Sequence, residues 1–252
     1  MTKNIENKIL IIVLVLLFTA SCGGGEGSVS LRDGFRPRQQ ATDYTCGCAS
    51  ALAVMDYFGV ADETEAALAV KMHTHVDSRR PGAAPGSALS LTDYGTSIEE
   101  LHRYFAGRDD FSIVASSFRP ADSLPLLADT DRVGVQAVGN VAPQLHDYSD
   151  AAHFFRSHLQ AGHPVMVCWN LWGGHWTVCV GYSDRGTPDF YDDDILTMAD
   201  PYDSTDGRAD GFTEVPLVAF FYDWFCPMTP KPWQLQPYLV VTSDTGRRPT
   251  PR

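Results

Sequence analysis

Residues 40–49 read Gln40-Ala-Thr-Asp-Tyr-Thr-Cys46-Gly-Cys-Ala, and the apolar run Ser50-Ala-Leu-Ala-Val-Met-Asp-Tyr-Phe58-Gly59 follows at once. The spacing predicts a helix over 46–58, with Thr45 as its cap, Leu52, Met55 and Phe58 on one stripe, and Gly59 in the left-handed position after its end. Cys46 therefore opens a helix. A thiol there feels the positive end of the helix dipole and nearby backbone N–H groups, which favours the thiolate. Gly47 beside it leaves room for a substrate carbonyl to approach the backbone. Most cysteines in front of apolar helices are core residues, so the reading depends on what accompanies this one.

A sulfur nucleophile needs an imidazole to move its proton. Of the eight histidines, His102, His153 and His158 fall on expected helices and read as surface residues. His73 and His75 form a weak metal signal in a loop, and His163 sits in a Gly-His-Pro turn. His175 alone follows a Gly-Gly turn and begins an apolar strand, Gly174-His-Trp-Thr-Val-Cys-Val-Gly-Tyr182. If that strand pairs antiparallel with 191–199, the hairpin centre falls near Thr187 and Pro188, and His175 faces Asp200. Gln40, six residues before Cys46, carries a side-chain amide able to donate to an oxyanion beside the Cys46 N–H.

Expected elements elsewhere are helices over 63–72, 98–105 (capped by Ser97 with Glu100) and from Asp150 to about 161. Strands are expected over 111–116, 165–169, 175–182, 191–199 and 237–242, with a further helix over 216–225. Helices first and an antiparallel sheet afterwards imply an α+β fold. A single domain over 39–242 is the simplest division, with a flexible linker at 23–38 and a disordered tail at 243–252. The acidic stretch Asp203-Ser-Thr-Asp206-Gly-Arg-Ala-Asp210-Gly lacks the alternating spacing of a calcium loop and reads as a flexible connection.

The first 22 residues read as an export signal. Lys3 and Lys8 precede ten apolar residues, Ile9 to Phe18, too few to span a bilayer as a permanent helix of about 20 residues. Thr19-Ala-Ser-Cys22 resembles a bacterial lipobox, with Cys22 as the lipidated residue and the Gly-rich stretch after it as a tether. The chain is thus expected outside the cytoplasm, anchored to a membrane through Cys22. Apart from Cys22 and Cys46, the cysteines Cys48, Cys168, Cys179 and Cys226 could form up to two disulfides there. A net charge of −12 and the lack of a Lys/Arg cluster argue against a nucleic-acid partner. No cofactor is called for.

The motif Gln40, five residues, then Cys46-Gly-x-Ala-Ser-Ala-Leu-Ala, ending in Tyr57-Phe-Gly59, is similar to that of the bacteriocin-processing, double-glycine family of papain-like cysteine peptidases. The His175 strand and Ala199-Asp200-Pro201 resemble that family's histidine and aspartate motifs, in the same order. The resemblance implies a papain-like fold with N-terminal helices packed on an antiparallel sheet, and hydrolysis of peptide bonds in a peptide or protein substrate. It implies Cys46 as nucleophile, His175 as acid/base, Asp200 as its orienting partner and Gln40 as oxyanion donor. The chain departs from the family in lacking a transporter domain and in its export signal, which leaves Gly-Gly specificity open. Two other readings stay open: a thiol transpeptidase resembling phytochelatin synthases, and a surface-anchored binding module with a silent site.

Overall fold

The computed structural model describes residues 27–60, 62–74, 95–118, 145–226 and 234–245. The expected export signal with Cys22, His75 and the tail beyond 245 lie outside the described residues. Strand β1 is Val29–Ser30, followed by helices α1 (Cys46–Tyr57), α2 (Glu65–Lys71) and α3 (Ile98–Ala106), then β2 (Phe111–Ser116). Helix α4 (Tyr148–Gln160) leads into β3 (Val165–Trp169), β4 (His175–Ser183), β5 (Ile195–Ala199) and β6 (Phe212–Pro216), and α5 (Leu217–Asp223) and β7 (Tyr238–Ser243) close the chain.

The strands form one antiparallel sheet in the order β2-β7-β3-β4-β5-β6, with β1 pairing on the far half of β4. Alternation along β3 and β4 divides the core in two. Met166, Cys168, Trp176, Val178 and Val180 face α1, Leu101 and Phe105 of α3, and Leu68 of α2. Val165, Val167, Trp169, Cys179 and Tyr182 face Phe155 and Leu159 of α4 and Leu217 and Phe220 of α5. Helices therefore cover both faces of the sheet, the N-terminal ones on one and α4 and α5 on the other.

Helix α1 is buried on every side except at Asp56, which pairs with Arg38. Its small residues, Gly47, Ala49, Ser50, Ala51 and Ala53, let it lie close on β4. Ser50 donates its hydroxyl to the Trp176 carbonyl (3.2 Å) and fixes that contact. The expected stripe of Leu52, Met55 and Phe58 is thus one part of a fully wrapped helix. Thr45 stands at the N-cap position but makes no side-chain capping bond; its hydroxyl shares a hydrogen bond with Thr42 instead (2.8 Å). Gly59 takes a φ of 76°, the left-handed turn expected of it.

Three other boundaries differ from the expectation. Asp147, rather than Asp150, caps α4, accepting from the Asp150 N–H at 2.9 Å, while Asp150 accepts from His146. The strand expected over 191–199 begins only at Ile195, because Tyr191–Asp193 form a short 3-10 turn. Strand β6 was not foreseen at all. Its residues Phe212-Thr-Glu-Val-Pro216 are too few for a clear alternation, and they extend only because β5 offers an edge to pair with.

The 23–38 stretch was expected to be a flexible linker, yet residues 27–38 are part of the fold. Val29 and Ser30 pair with Tyr182 and Gly181, and Leu31 N–H donates to the Val180 carbonyl. Arg32 pairs with Asp210 and lies over the Phe212 ring, and Phe35 is buried to 3% exposure against Tyr57. Ser243, placed in the tail by sequence, completes β7, and Asp244 in the turn after it accepts from Ser112. Among the described residues, no helix is long and apolar enough to cross a membrane.

Candidate active site

The first turn of α1 and the start of β4 meet at one end of the sheet. His175 follows Gly173 and Gly174, whose φ values of 88° and 146° are open to glycine and let the hairpin turn sharply into β4. His175 is 4% exposed and Asp200 is fully buried. The His175 Nε2 and Asp200 Oδ1 are 2.7 Å apart, and Oδ1 also accepts from the Tyr202 N–H at 2.9 Å. Asp200 leaves the Nδ1 of the ring uncommitted, and the Cys46 sulfur lies near enough to act on the imidazole. Burial disfavours a charged imidazole, but the Asp200 carboxylate and the Cys46 sulfur outweigh it and lift the His175 pKa to about 9. Burial likewise disfavours the Asp200 carboxylate; the bond from His175 and backbone N–H donors overcome this and hold its pKa below the usual range. Aspartate and imidazolium thus stabilise each other beside the thiol.

The acidic stretch after Asp200 is ordered, contrary to its reading as a flexible connection. Asp203 accepts from the Gly211 N–H eight residues further on, while Asp206 and Asp210 each accept from the N–H two residues on, of Arg208 and Phe212. Gly211 in turn accepts from the Asp200 N–H at 2.9 Å, so the loop closes back on the buried carboxylate. Its φ is 77° and a Cβ there would lie 2.5 Å from Pro37, so the position requires glycine. The N-terminal segment therefore braces the aspartate loop.

Gln40 is placed near these residues by its backbone, since its N–H donates to the Pro201 carbonyl at 2.8 Å. Its side-chain amide donates to the Thr42 carbonyl (2.6 Å). The same Nε2 carries a second N–H, which is the one free to serve an oxyanion. Gly47 has a different duty from the one expected of it. A Cβ on Gly47 would meet Thr96 at 2.7 Å and Trp176 at 3.2 Å, so its bare side faces the core and lets α1 seat against Thr96.

Beside the site lies a buried polar cluster whose threonines, Thr74 and Thr96, sequence reasoning did not single out. Cys48 Sγ contacts the Thr74 hydroxyl (3.2 Å), Thr74 and Thr96 share a hydrogen bond (2.8 Å), and the Trp176 indole donates to the Thr96 carbonyl (2.8 Å). Their only sequence signal is a polar residue next to apolar ones, which is too common to find them. All five described cysteines are free thiols, so the disulfides considered from composition are not formed. Cys168 and Cys179 sit on neighbouring strands but face opposite cores. Burial raises the pKa values of Cys48 and Cys168, and pushes Cys179 up to about 12. Among the described residues, no three His, Cys, Asp or Glu gather to hold a metal ion.

No family model and no curated protein matches the chain. Among solved structures, the chain is similar to a Bacillus anthracis protein described as a C39-like peptidase, over 86% of this chain and 96% of that one. The identity is 12% and the TM-score 0.45. At those values the likeness is loose, and what the site does has to be read from its own residues.

Proposed function

We propose that the chain is a cysteine peptidase with a papain-like fold, related to the C39 peptidases, that hydrolyses peptide bonds outside the cytoplasm. One observation carries the reading: a single buried imidazole is hydrogen-bonded to the Asp200 carboxylate and stands beside the Cys46 thiol at a helix start. A structural histidine needs no thiol beside it. In the proposed reaction the Cys46 sulfur adds to the scissile carbonyl, and its proton resides on His175. His175 then protonates the leaving amine as the C–N bond breaks, giving a thioester. A water molecule, deprotonated by His175, cleaves the thioester and regenerates the thiol. The Cys46 N–H, which has no acceptor within the helix, and the Gln40 amide are the proposed donors to the oxyanion. Asp200 holds the ring in orientation and stabilises its charge.

The location rests on the apolar run 9–18 and on Cys22. A palmitate analogue fed to expressing cells labels the wild type and not Cys22→Ala if the anchor is real. Equal labelling of the two refutes it.

The test of the chemistry is alkylation by iodoacetamide across pH, with wild type beside Cys46→Ala and His175→Ala. One fast-reacting thiol at neutral pH is expected, absent in the first variant and at least tenfold slower in the second. Cys48, Cys168 and Cys179 are buried, and burial keeps them protonated. Uniform slow labelling in all three proteins would overturn the reading.

A further inference from the structure

The turn from Leu171 to Gly174 joins β3 to β4, closed by a hydrogen bond from the Gly174 N–H to the Leu171 carbonyl at 3.1 Å. Its two central residues, Trp172 and Gly173, have φ values of 51° and 88°. That is the pattern of a type I′ hairpin turn, whose first central position favours Asn, Asp or Gly. A tryptophan there is a conformational outlier that costs on the order of 1–3 kcal/mol. Burial does not compensate for it, since Trp172 is 57% exposed.

What Trp172 does have is position. Its ring stands edge-on to His175 at 5.3 Å and edge-on to Tyr202 at 5.1 Å. Tyr202 is itself 48% exposed, and its backbone N–H is tied to the Asp200 carboxylate. Two aromatic rings thus form an open corner beside the imidazole, one anchored on the histidine turn and the other on the aspartate loop. Covering the His175–Asp200 bond from water accounts for the ring edges that face it. It does not account for the half of each ring left to solvent.

We propose that Trp172 and Tyr202 are the specificity-determining pocket on the leaving-group side, and that it takes a peptide with an aromatic or large apolar residue immediately after the scissile bond. This rests on the peptidase reading. The ring that protonates the leaving amine is His175, so the residue carrying that amine lies against whatever flanks His175. Two aromatic faces meeting at a corner offer offset and edge contacts to a third ring and apolar surface to a branched side chain. Their faces, negative at the centre, do not favour a carboxylate.

The pocket is tested by acyl transfer, which needs no knowledge of the natural substrate. The enzyme is acylated by the p-nitrophenyl ester of an N-acetyl amino acid: the thioester forms and nitrophenol leaves. Amino acid amides are then added, and the amine nitrogen attacks the thioester, giving up a proton through His175 to the departing sulfur. The ratio of amide product to hydrolysis product reads occupancy of the leaving-group side. Phenylalaninamide and leucinamide are expected to outcompete alaninamide and glutamic acid amide by about tenfold. Trp172→Ala and Tyr202→Ala are each expected to bring the ratios within about twofold. The ratio is internal to each variant, so a loss of total rate does not move it, and a merely shielding role would lower all amines alike. A nitrophenol burst that needs Cys46 with no preference among amines overturns the pocket and leaves the peptidase reading standing. No Cys46-dependent burst overturns both.

Discussion

His175 and Asp200 share a 2.7 Å hydrogen bond although they are not cross-strand partners. At the far end of the β4–β5 ladder Ser183 faces Ile195 and Gly181 faces Thr197; nearer the site Cys179 faces Met198 and Val178 faces Ala199. The register slips by one between them, leaving Val180 as a bulge. Continued one step, the register near the site sets Thr177 across from Asp200, and His175 two residues further along on the same face. Without the bulge Asp200 would stand across from Val178 and point to the other face, because a one-residue slip inverts every side chain. The bulge is therefore what brings the aspartate to the imidazole, and the contact is diagonal.

Replacing Asp200 by Asn removes the charge that lifts His175 and leaves only a neutral amide oxygen to accept from the ring. The ring holds its proton to about pH 9 in the wild type, so an activity that needs the imidazolium falls on a basic limb near pH 9. In Asp200→Asn that limb is expected to move toward acid, with at least a tenfold loss of kcat/KM at pH 8. A pH–rate series for Cys46-dependent ester cleavage measures it, and an unmoved limb would separate Asp200 from the proton chemistry.

The same shift predicts a pH dependence of folding. The folded-state pKa of His175 lies above its ordinary value of 6.5, so its contribution is fully present below about 6.5 and lost as pH rises through about 9. For Asp200, held low, the contribution is present above the ordinary carboxylate value and lost in acid. The pair stabilises best between these limits. Urea unfolding of the wild type relative to His175→Ala should lose up to about 3 kcal/mol between pH 6 and pH 9.5. A difference independent of pH would contradict the elevated imidazole.

Phe35→Ala is expected to cost about 3 kcal/mol, the usual range for emptying a buried aromatic site. Phe35 is 3% exposed against Tyr57, in a stretch whose composition reads as a linker. Because the neighbouring Pro37 abuts Gly211 and Gln40 reaches Pro201, the variant should also slow Cys46-dependent ester cleavage. Equilibrium unfolding and the burst rate check the two halves; a stability within 0.5 kcal/mol of wild type, roughly the effect of a surface change, would make the segment a bystander.

Gly47→Ala tests whether the glycine serves packing. Its Cβ would fall 2.7 Å from the Thr96 Cβ, a backbone-anchored atom that cannot swing aside. Overpacking of this kind costs about 1–3 kcal/mol. If Gly47 instead served only substrate approach, urea unfolding would be unchanged and only turnover would fall.

The helix opening at Cys46, its glycine stop and the strands 111–116 and 165–169 were legible because their patterns are local: an apolar run of helix length, a left-handed glycine, short apolar stretches between turns. His175 stood out among eight histidines because glycines and an apolar strand flank it. Asp200 was reached by a hairpin centred at 187.5, two residues from the true pairing; the parity agreed, so the face was right although the partner was not. Strand β6 and the folded 27–38 segment were not legible, since each becomes regular only by pairing with an edge that distant residues supply. Trp172 carried a signal that went unread: an aromatic directly before a Gly-Gly turn.

By itself, the sequence determined which residues could carry thiol chemistry and which secondary structures open at them, because residue type and short-range periodicity are written in the order of the chain. The tertiary structure alone decided that His175 turns its Nε2 to Asp200 with the Cys46 sulfur beside the ring. It also decided that Gly47 faces Thr96 and that Gln40 gives one amide N–H to Thr42. Those outcomes depend on a one-residue bulge and on how closely α1 seats against β4. Register and packing are set by the sum of many distant contacts, and no local pattern encodes them.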